Sequence, residues 1–271
     1  MTIESGVNTL LFQPHAKKPI DLIFTHLSLA NVLTIIFTGI PEIILLFGIR
    51  HFLNDIGCKV VLYFYRVSRG VSLCTSSYLS LFQAMTLAPR NSRWSWLRGQ
   101  ISTHLFPVCL LFWIINMLLC IRVALMSVLP SNSTKADQVY ILKYCIVTDR
   151  DVPQLAVFQA GMVSQDFLCV SLMLWTSVYM VKLLFSHHNA IHLVRSSSLC
   201  PQTSPEIKAA HTILALMGCF VLFYFTNCCL TIYIGLGHNV QELENYLIFV
   251  SCCYPTICPF LLIKNKGRLF R

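Results

Sequence analysis

Arg66 and Arg69 are the residues whose type and spacing most invite chemistry. Three apart on a helix, they share one face. They interrupt an otherwise apolar run that ends at Pro89. A guanidinium facing lipid costs a few kcal/mol at depth. Two readings stand. Either the pair snorkels to the headgroups, lying about 12–16 Å below Cys58 at helical rise, or it faces a water-filled cavity, where Asp166 and Glu42 are the candidate counter-charges. In the second reading these four residues are the candidate ligand site.

Other chemistries are weaker. Among 13 cysteines, Cys58 and Cys145 stand in polar connections that can share a compartment, and are expected to form a disulfide. Cys74, Cys109, Cys120, Cys169 and six more lie inside apolar runs, where a thiol behaves as a small hydrophobe. His188 and His192 are four apart beside His187, but no further ligand type is near, so a solvated helix end is expected there and no metal. No metalloprotease, nucleophile-elbow, phosphate-loop or dinucleotide motif occurs. No catalytic residue and no cofactor is assigned. Ser72, Ser76 and Ser77 are expected to bond their own helix.

The elements that would hold these residues are membrane spans. Of 271 residues, 56% are hydrophobic and 11% charged, against about 25% charged in a soluble domain. A net charge of +9 sits in short clusters between apolar runs, which fits membrane loops and not a nucleic-acid face. One transmembrane domain covers 1–271, an all-α membrane protein with six full spans at about 20–47, 60–89, 105–128, 155–185, 206–236 and 246–263. The apolar start, 1–14, is too short to cross a core of about 30 Å and is taken as the remnant of a first helix. His15, Lys17, Lys18 and Pro19 form a basic loop. Asp21 then falls in the first turn of its span, and Pro41 should kink it.

Lysine and arginine counts orient the chain. Twelve fall on one side (Lys17, Lys18, Arg90, Arg93, Arg98, Lys182, Arg195, Lys208, Lys264, Lys266, Arg268 and Arg271) and five on the other. The first side, with the C-terminus, is therefore cytoplasmic. The sequon at Asn132 then lies outside, where it can be glycosylated, as do Cys58 and Cys145.

Several motifs together resemble the vomeronasal type-1 receptors, a G-protein-coupled family. They include Pro19-Ile20-Asp21-Leu22-Ile23, Gly39-Ile40-Pro41, Gly57-Cys58-Lys59, Tyr65-Arg66-Val67-Ser68-Arg69-Gly70, Ser80-Leu81-Phe82-Gln83-Ala84, Met173-Leu174-Trp175, Ser204-Pro205-Glu206 and Tyr254-Pro255-Thr256. The resemblance runs from about residue 18 to the end. It implies a seven-transmembrane-helix receptor bundle, here with a truncated first helix. It also implies a small pheromone-like ligand bound between helices, and a heterotrimeric G protein of the inhibitory type. As in that family, the inner end of the Arg66 span lacks the acid-arginine-aromatic triplet of many receptors and reads Thr86-Leu87-Ala88-Pro89. Arg90, Arg93, Lys182 and Lys208 are the candidate G-protein contacts. Partners would be ligand, G protein and lipid, in the plasma membrane. The alternatives are a non-signalling receptor remnant and, from another class, a small-solute carrier or channel.

Overall fold

The computed structural model describes residues 14–49, 53–88, 104–128, 138–142, 145–148 and 152–194, with helical residues at 214–215, 218–219, 221–226, 229–230, 246 and 249–257. Four long helices dominate the described residues: α1 (Pro14–Leu46), α2 (Asp55–Leu87), α3 (Leu105–Met126) and α4 (Val152–Val194).

Local sequence explains the ends. Pro14 opens α1, where a missing N–H costs nothing. Gly48 closes it at φ 82°, the left-handed cap that glycine adopts without strain, and its N–H reaches Leu45 O at 3.0 Å. Asn54 caps α2 by accepting the Gly57 N–H at 2.8 Å. Ala88 ends α2 in an extended conformation, as the residue before a proline prefers.

Among the described residues, three helical segments are long and apolar enough to cross a membrane: Leu22–Leu46, Leu105–Arg122 and Ala160–Leu183. Their large apolar side chains point outward. On α1, Leu29, Val32, Ile36, Ile40 and Ile43 form an exposed stripe at helical spacing. The inside is more polar, with Asn31, Thr34, Thr38, Ser68, Ser72, Thr75, Ser76, Ser77, Ser80, Asn116 and Thr176 buried. Apolar surface outside and paired polar groups inside is the arrangement lipid demands.

α2 is the axis of the bundle. It packs against α1, α3 and α4, and residues 71–80 are buried without exception. Around its middle lie Ala30, Val67, Val71 and Cys120. Further along sit Ile23, Leu27, Leu73, Leu79, Phe82, Leu105 and Met173. That enclosed stretch meets protein and not lipid, so α2 tolerates serines there and, with Arg66 and Arg69 above it, is not among the three apolar segments.

Several expectations change. The His15–Pro19 segment is helical backbone, not a loop, because α1 begins at Pro14. Asp21 therefore falls in the third turn, and Pro41 lies inside a helix that continues to Leu46. α4 reaches Val194, so His187, His188 and His192 stand on it. The long connection after α3 also carries a sheet, so the described residues are not purely helical. Strands β1 (Ser127–Val128), β2 (Gln138–Leu142) and β3 (Cys145–Thr148) pair antiparallel in the order β1-β3-β2. Gln138 faces Thr148 and Leu142 faces Cys145, with a bulge between Tyr140 and Leu142. Alternating β-branched and aromatic residues in QVYIL and CIVT favour strands. The central strand is tied to the first turn of α2 by the Cys58–Cys145 disulfide. Of the expected first-helix remnant at 1–14, Pro14 belongs to α1 and residues 1–13 lie outside the described residues.

Candidate functional site

About 17 Å along α2 from the disulfide, at 1.5 Å per residue, Arg69 enters the bundle. Its Nη2 lies 3.9 Å from Asp166 Oδ2 of α4, with the side chains 16% and 22% exposed. Its guanidinium also stands 4.9 Å above the Tyr224 ring, a cation–π arrangement. Arg66, one turn nearer the disulfide, has Nε buried without a hydrogen-bond partner.

Two small cavities meet at Arg69. One, of about 20 Å³, lies among Arg66, Arg69, Asn116, Gln165, Asp166 and Tyr224. The other, of about 30 Å³, lies among Thr34, Arg69, Ser72, Tyr224, Ser251 and Tyr254. Each has room for one or two waters. A larger occupant must part the helices or displace Arg69.

Two carboxamides frame this layer. Asn116 of α3 donates to Phe112 O at 2.8 Å. Gln165 of α4 donates to Asn116 Oδ1 at 3.0 Å. α2 can approach α3 here because residue 70 is glycine: a Cβ at Gly70 would overlap the Asn116 carboxamide. Tyr63 completes the α2–α3 seam by donating to Met117 O at 3.2 Å.

Toward the far end, the serines of α2 make a ladder between helices. Ser68 Oγ lies 3.1 Å from Thr34 Oγ1. Ser72 donates to Asn31 Oδ1 at 2.6 Å. Ser76 meets Tyr254 OH at 2.8 Å, and Ser80 bonds Thr176. A step of four residues advances about 40° around a helix. The ladder therefore winds from α1 to the 249–257 helix and on to α4. Ser77 donates to Cys169 O at 3.0 Å. The expectation that Ser72, Ser76 and Ser77 bond their own helix is corrected: each reaches a neighbouring helix, because at those positions α2 has protein on every side.

Of the four candidate ligand residues, Arg66, Arg69 and Asp166 line one cavity. Glu42 lines neither. The Thr34–Ser68 and Asn31–Ser72 pairs set the α1–α2 register. Extended to Glu42, that register places it about 8 Å nearer the disulfide than Arg66. Lys182 is exposed on α4, about 24 Å from Asp166 along the helix. Arg90, Arg93, Lys208 and Asn132 lie outside the described residues. Reading the sequence missed Asn116, Gln165 and Tyr224. A lone carboxamide in the apolar α3 run was a usable signal. Tyr224 had none, since its role depends on where its helix packs.

These features define a polytopic helical membrane protein with a charged layer buried below a disulfide-tied sheet. The sequence matches the model of the vomeronasal organ pheromone receptor family over residues 7–271. It is 35% identical to the Homo sapiens vomeronasal type-1 receptor 4 over 252 residues, covering 93% of this chain and 84% of that protein. It is 34% identical to the Homo sapiens vomeronasal type-1 receptor 2, covering 96% and 67%. It is 32% identical to the Danio rerio olfactory receptor class A-like protein 1, covering 93% and 79%. The chain belongs to the vomeronasal organ pheromone receptor family, the vomeronasal type-1 receptors.

Proposed function

We propose that the chain is a G-protein-coupled chemosensory receptor that binds a small pheromone-like molecule between its helices. In this reading Arg66, Arg69 and Asp166 meet the ligand, and Glu42 stands at the mouth. The observation that carries it is the Arg69–Asp166 pair at 3.9 Å, half-buried between α2 and α4 in a chain of a receptor family. A charged pair inside a membrane bundle is costly, and such residues mark functional sites. Here it lies beside two cavities that a ligand can enlarge.

The proposal extends to architecture and coupling. The bundle is of the seven-helix type, and the spans at about 206–236 and 246–263 belong to it. It sits in the plasma membrane with basic loops and C-terminus in the cytoplasm. Arg90, Arg93, Lys182 and Lys208 face a heterotrimeric G protein of the inhibitory type.

The test is expression in cells that report inhibitory-type G-protein activation, challenged with a broad panel of volatile, steroid and acidic odorants. At least one compound should give a dose-dependent response, and Arg69→Ala should shift it by tenfold or more at equal surface level. Robust surface delivery with no response, or a response indifferent to Arg66, Arg69 and Asp166 substitutions, would overturn the site assignment.

A further inference from the structure

The charge in the layer around Arg69 does not balance. Arg66 and Arg69 line the same cavity of about 20 Å³, and Asp166 is the carboxylate that lines it with them. Asp166 stands 3.9 Å from Arg69 Nη2, so Arg69 takes it up. Arg66 has no ion pair among the described residues, and its Nε is buried with no hydrogen-bond partner. The charges that reach it are those of Arg69 and Asp166. Glu42 lies about 8 Å nearer the disulfide. An unpaired buried charge and an unsatisfied buried N–H are each unfavourable. One anionic acceptor beside Arg66 removes both.

We propose that this cavity is a site for one small monovalent anion of the chloride class, seated on Arg66. With the ion in place, two guanidiniums meet one carboxylate and one halide, and the layer is neutral. Arg66 and Arg69 are three apart on α2, which brings their Cβ atoms to about 5–6 Å, so both side chains reach one ion between them. The approach of Arg69 to Asp166 is at the long end for an ion pair, which leaves Arg69 able to share. Asp166 repels the ion and so sets how tightly it is held. Leu119 and Met162 add apolar wall and keep the local dielectric low, which strengthens the attraction. Asn116 and Gln165 frame the cavity without serving the ion, since their amide nitrogens already donate to Phe112 O and Asn116 Oδ1. A volume that admits one or two waters takes a halide and refuses a bulky oxyanion. The side chains of Arg69 and Asp166 are 16% and 22% exposed, so the layer is open to water. The inference concerns a cavity named in the receptor reading but stands without that reading, because its probe is the ion alone.

The experiment uses the full chain in nanodiscs of zwitterionic lipid, with chloride exchanged for gluconate at constant ionic strength. Gluconate is too large for a cavity of about 20 Å³. The thermal midpoint should rise with chloride along a saturating curve, as for a ligand that binds the folded state alone, and bromide should act alike. Arg66→Gln should lose the response. Asp166→Asn should tighten the apparent Kd by about tenfold, because it removes the carboxylate that repels the ion. Lys59→Gln, which takes a basic residue from outside the cavity, should match wild type. Wild type should also broaden the chloride NMR line, and bromide but not gluconate should reverse the broadening. That reading needs no variant and decides the matter should Arg66→Gln misfold. A response that does not saturate, one that persists in Arg66→Gln, or the absence of bromide-reversible broadening overturns the proposal. So does equal loss in Lys59→Gln, which marks screening of surface charge only. A chloride response that holds while every odorant fails leaves the anion site standing and removes the ligand reading.

Discussion

Arg69 is held by contacts of different kinds, a carboxylate on α4 and an aromatic face at Tyr224. Removing one member of the ion pair leaves the other charged in a low-dielectric layer. That costs several kcal/mol for a fully enclosed pair, but both side chains keep some exposure and the approach is long, so about 1–3 kcal/mol is expected. Arg69→Leu and Asp166→Leu should each lower the thermal midpoint by several degrees. The double substitution should lower it by less than their sum, because neither member of the pair is left without the other, the Arg66 charge being present in both backgrounds. Strict additivity would show that the two groups do not interact. Gly70 makes a second residue-scale case. Gly70→Ala drives a methyl into the Asn116 carboxamide and through it disturbs Gln165. A loss of about 1–3 kcal/mol is expected, and Asn116→Ala in the same chain should relieve part of it. These two cases also mark how far residue-level reading reaches. Arg66, Arg69 and Asp166 stood out because charge inside an apolar run is expensive. Gly70 did not, since a glycine declares its purpose only once the opposing side chain is known.

Among elements, α2 governs, and its serines test the claim that polar groups bind this bundle together. A hydrogen bond between membrane helices is worth about 0.6 kcal/mol on average. Ser72 should exceed that. Its partner Asn31 is fully buried and has Nδ2 already without a partner, so Ser72→Ala also strips the acceptor side. A loss of about 1–3 kcal/mol follows. Ser68→Ala should cost less, because Thr34 keeps its 2.9 Å bond to Ala30 O. Equal losses in a denaturation series would refute this ordering. The ladder was illegible in sequence because serine every fourth residue says which helix face it occupies, not what stands opposite. The Cys58–Cys145 link was legible for the opposite reason: both thiols fall in polar connections while most others lie in apolar runs. It joins positions 87 residues apart. Cys58→Ser, Cys145→Ser and the double variant should show one common loss of about 2–4 kcal/mol.

For the molecule as a whole, apolar runs located the helices, but charge misled at their ends. Lys17 and Lys18 read as loop, and the fourth span reads as ending at 185, before His187 and His188, yet α1 and α4 continue through them. A helix that projects beyond the bilayer needs no apolar surface there. The 43 residues of α4 extend about 65 Å, twice the hydrocarbon thickness. The sheet after α3 escaped notice because its strands of 2, 5 and 4 residues are too short for periodicity to register. Charge bears instead on orientation, which the helices alone leave open in sign. Lysine and arginine favour the cytoplasmic side, and the count by sides is twelve to five. The disulfide-tied sheet and Asn132 should therefore face outward, and Lys182 inward. Translation into microsomes should give one glycosylated species, abolished by Asn132→Gln. A sequon engineered after Val194 should stay unmodified. The reverse pattern, an unmodified Asn132 with a modified site beyond α4, would invert the topology. It would also place Arg69 and Asp166 below the cytoplasmic face, out of reach of an external ligand. The glycosylation assay therefore decides whether the charged layer can serve as a chemosensory site before any ligand is known.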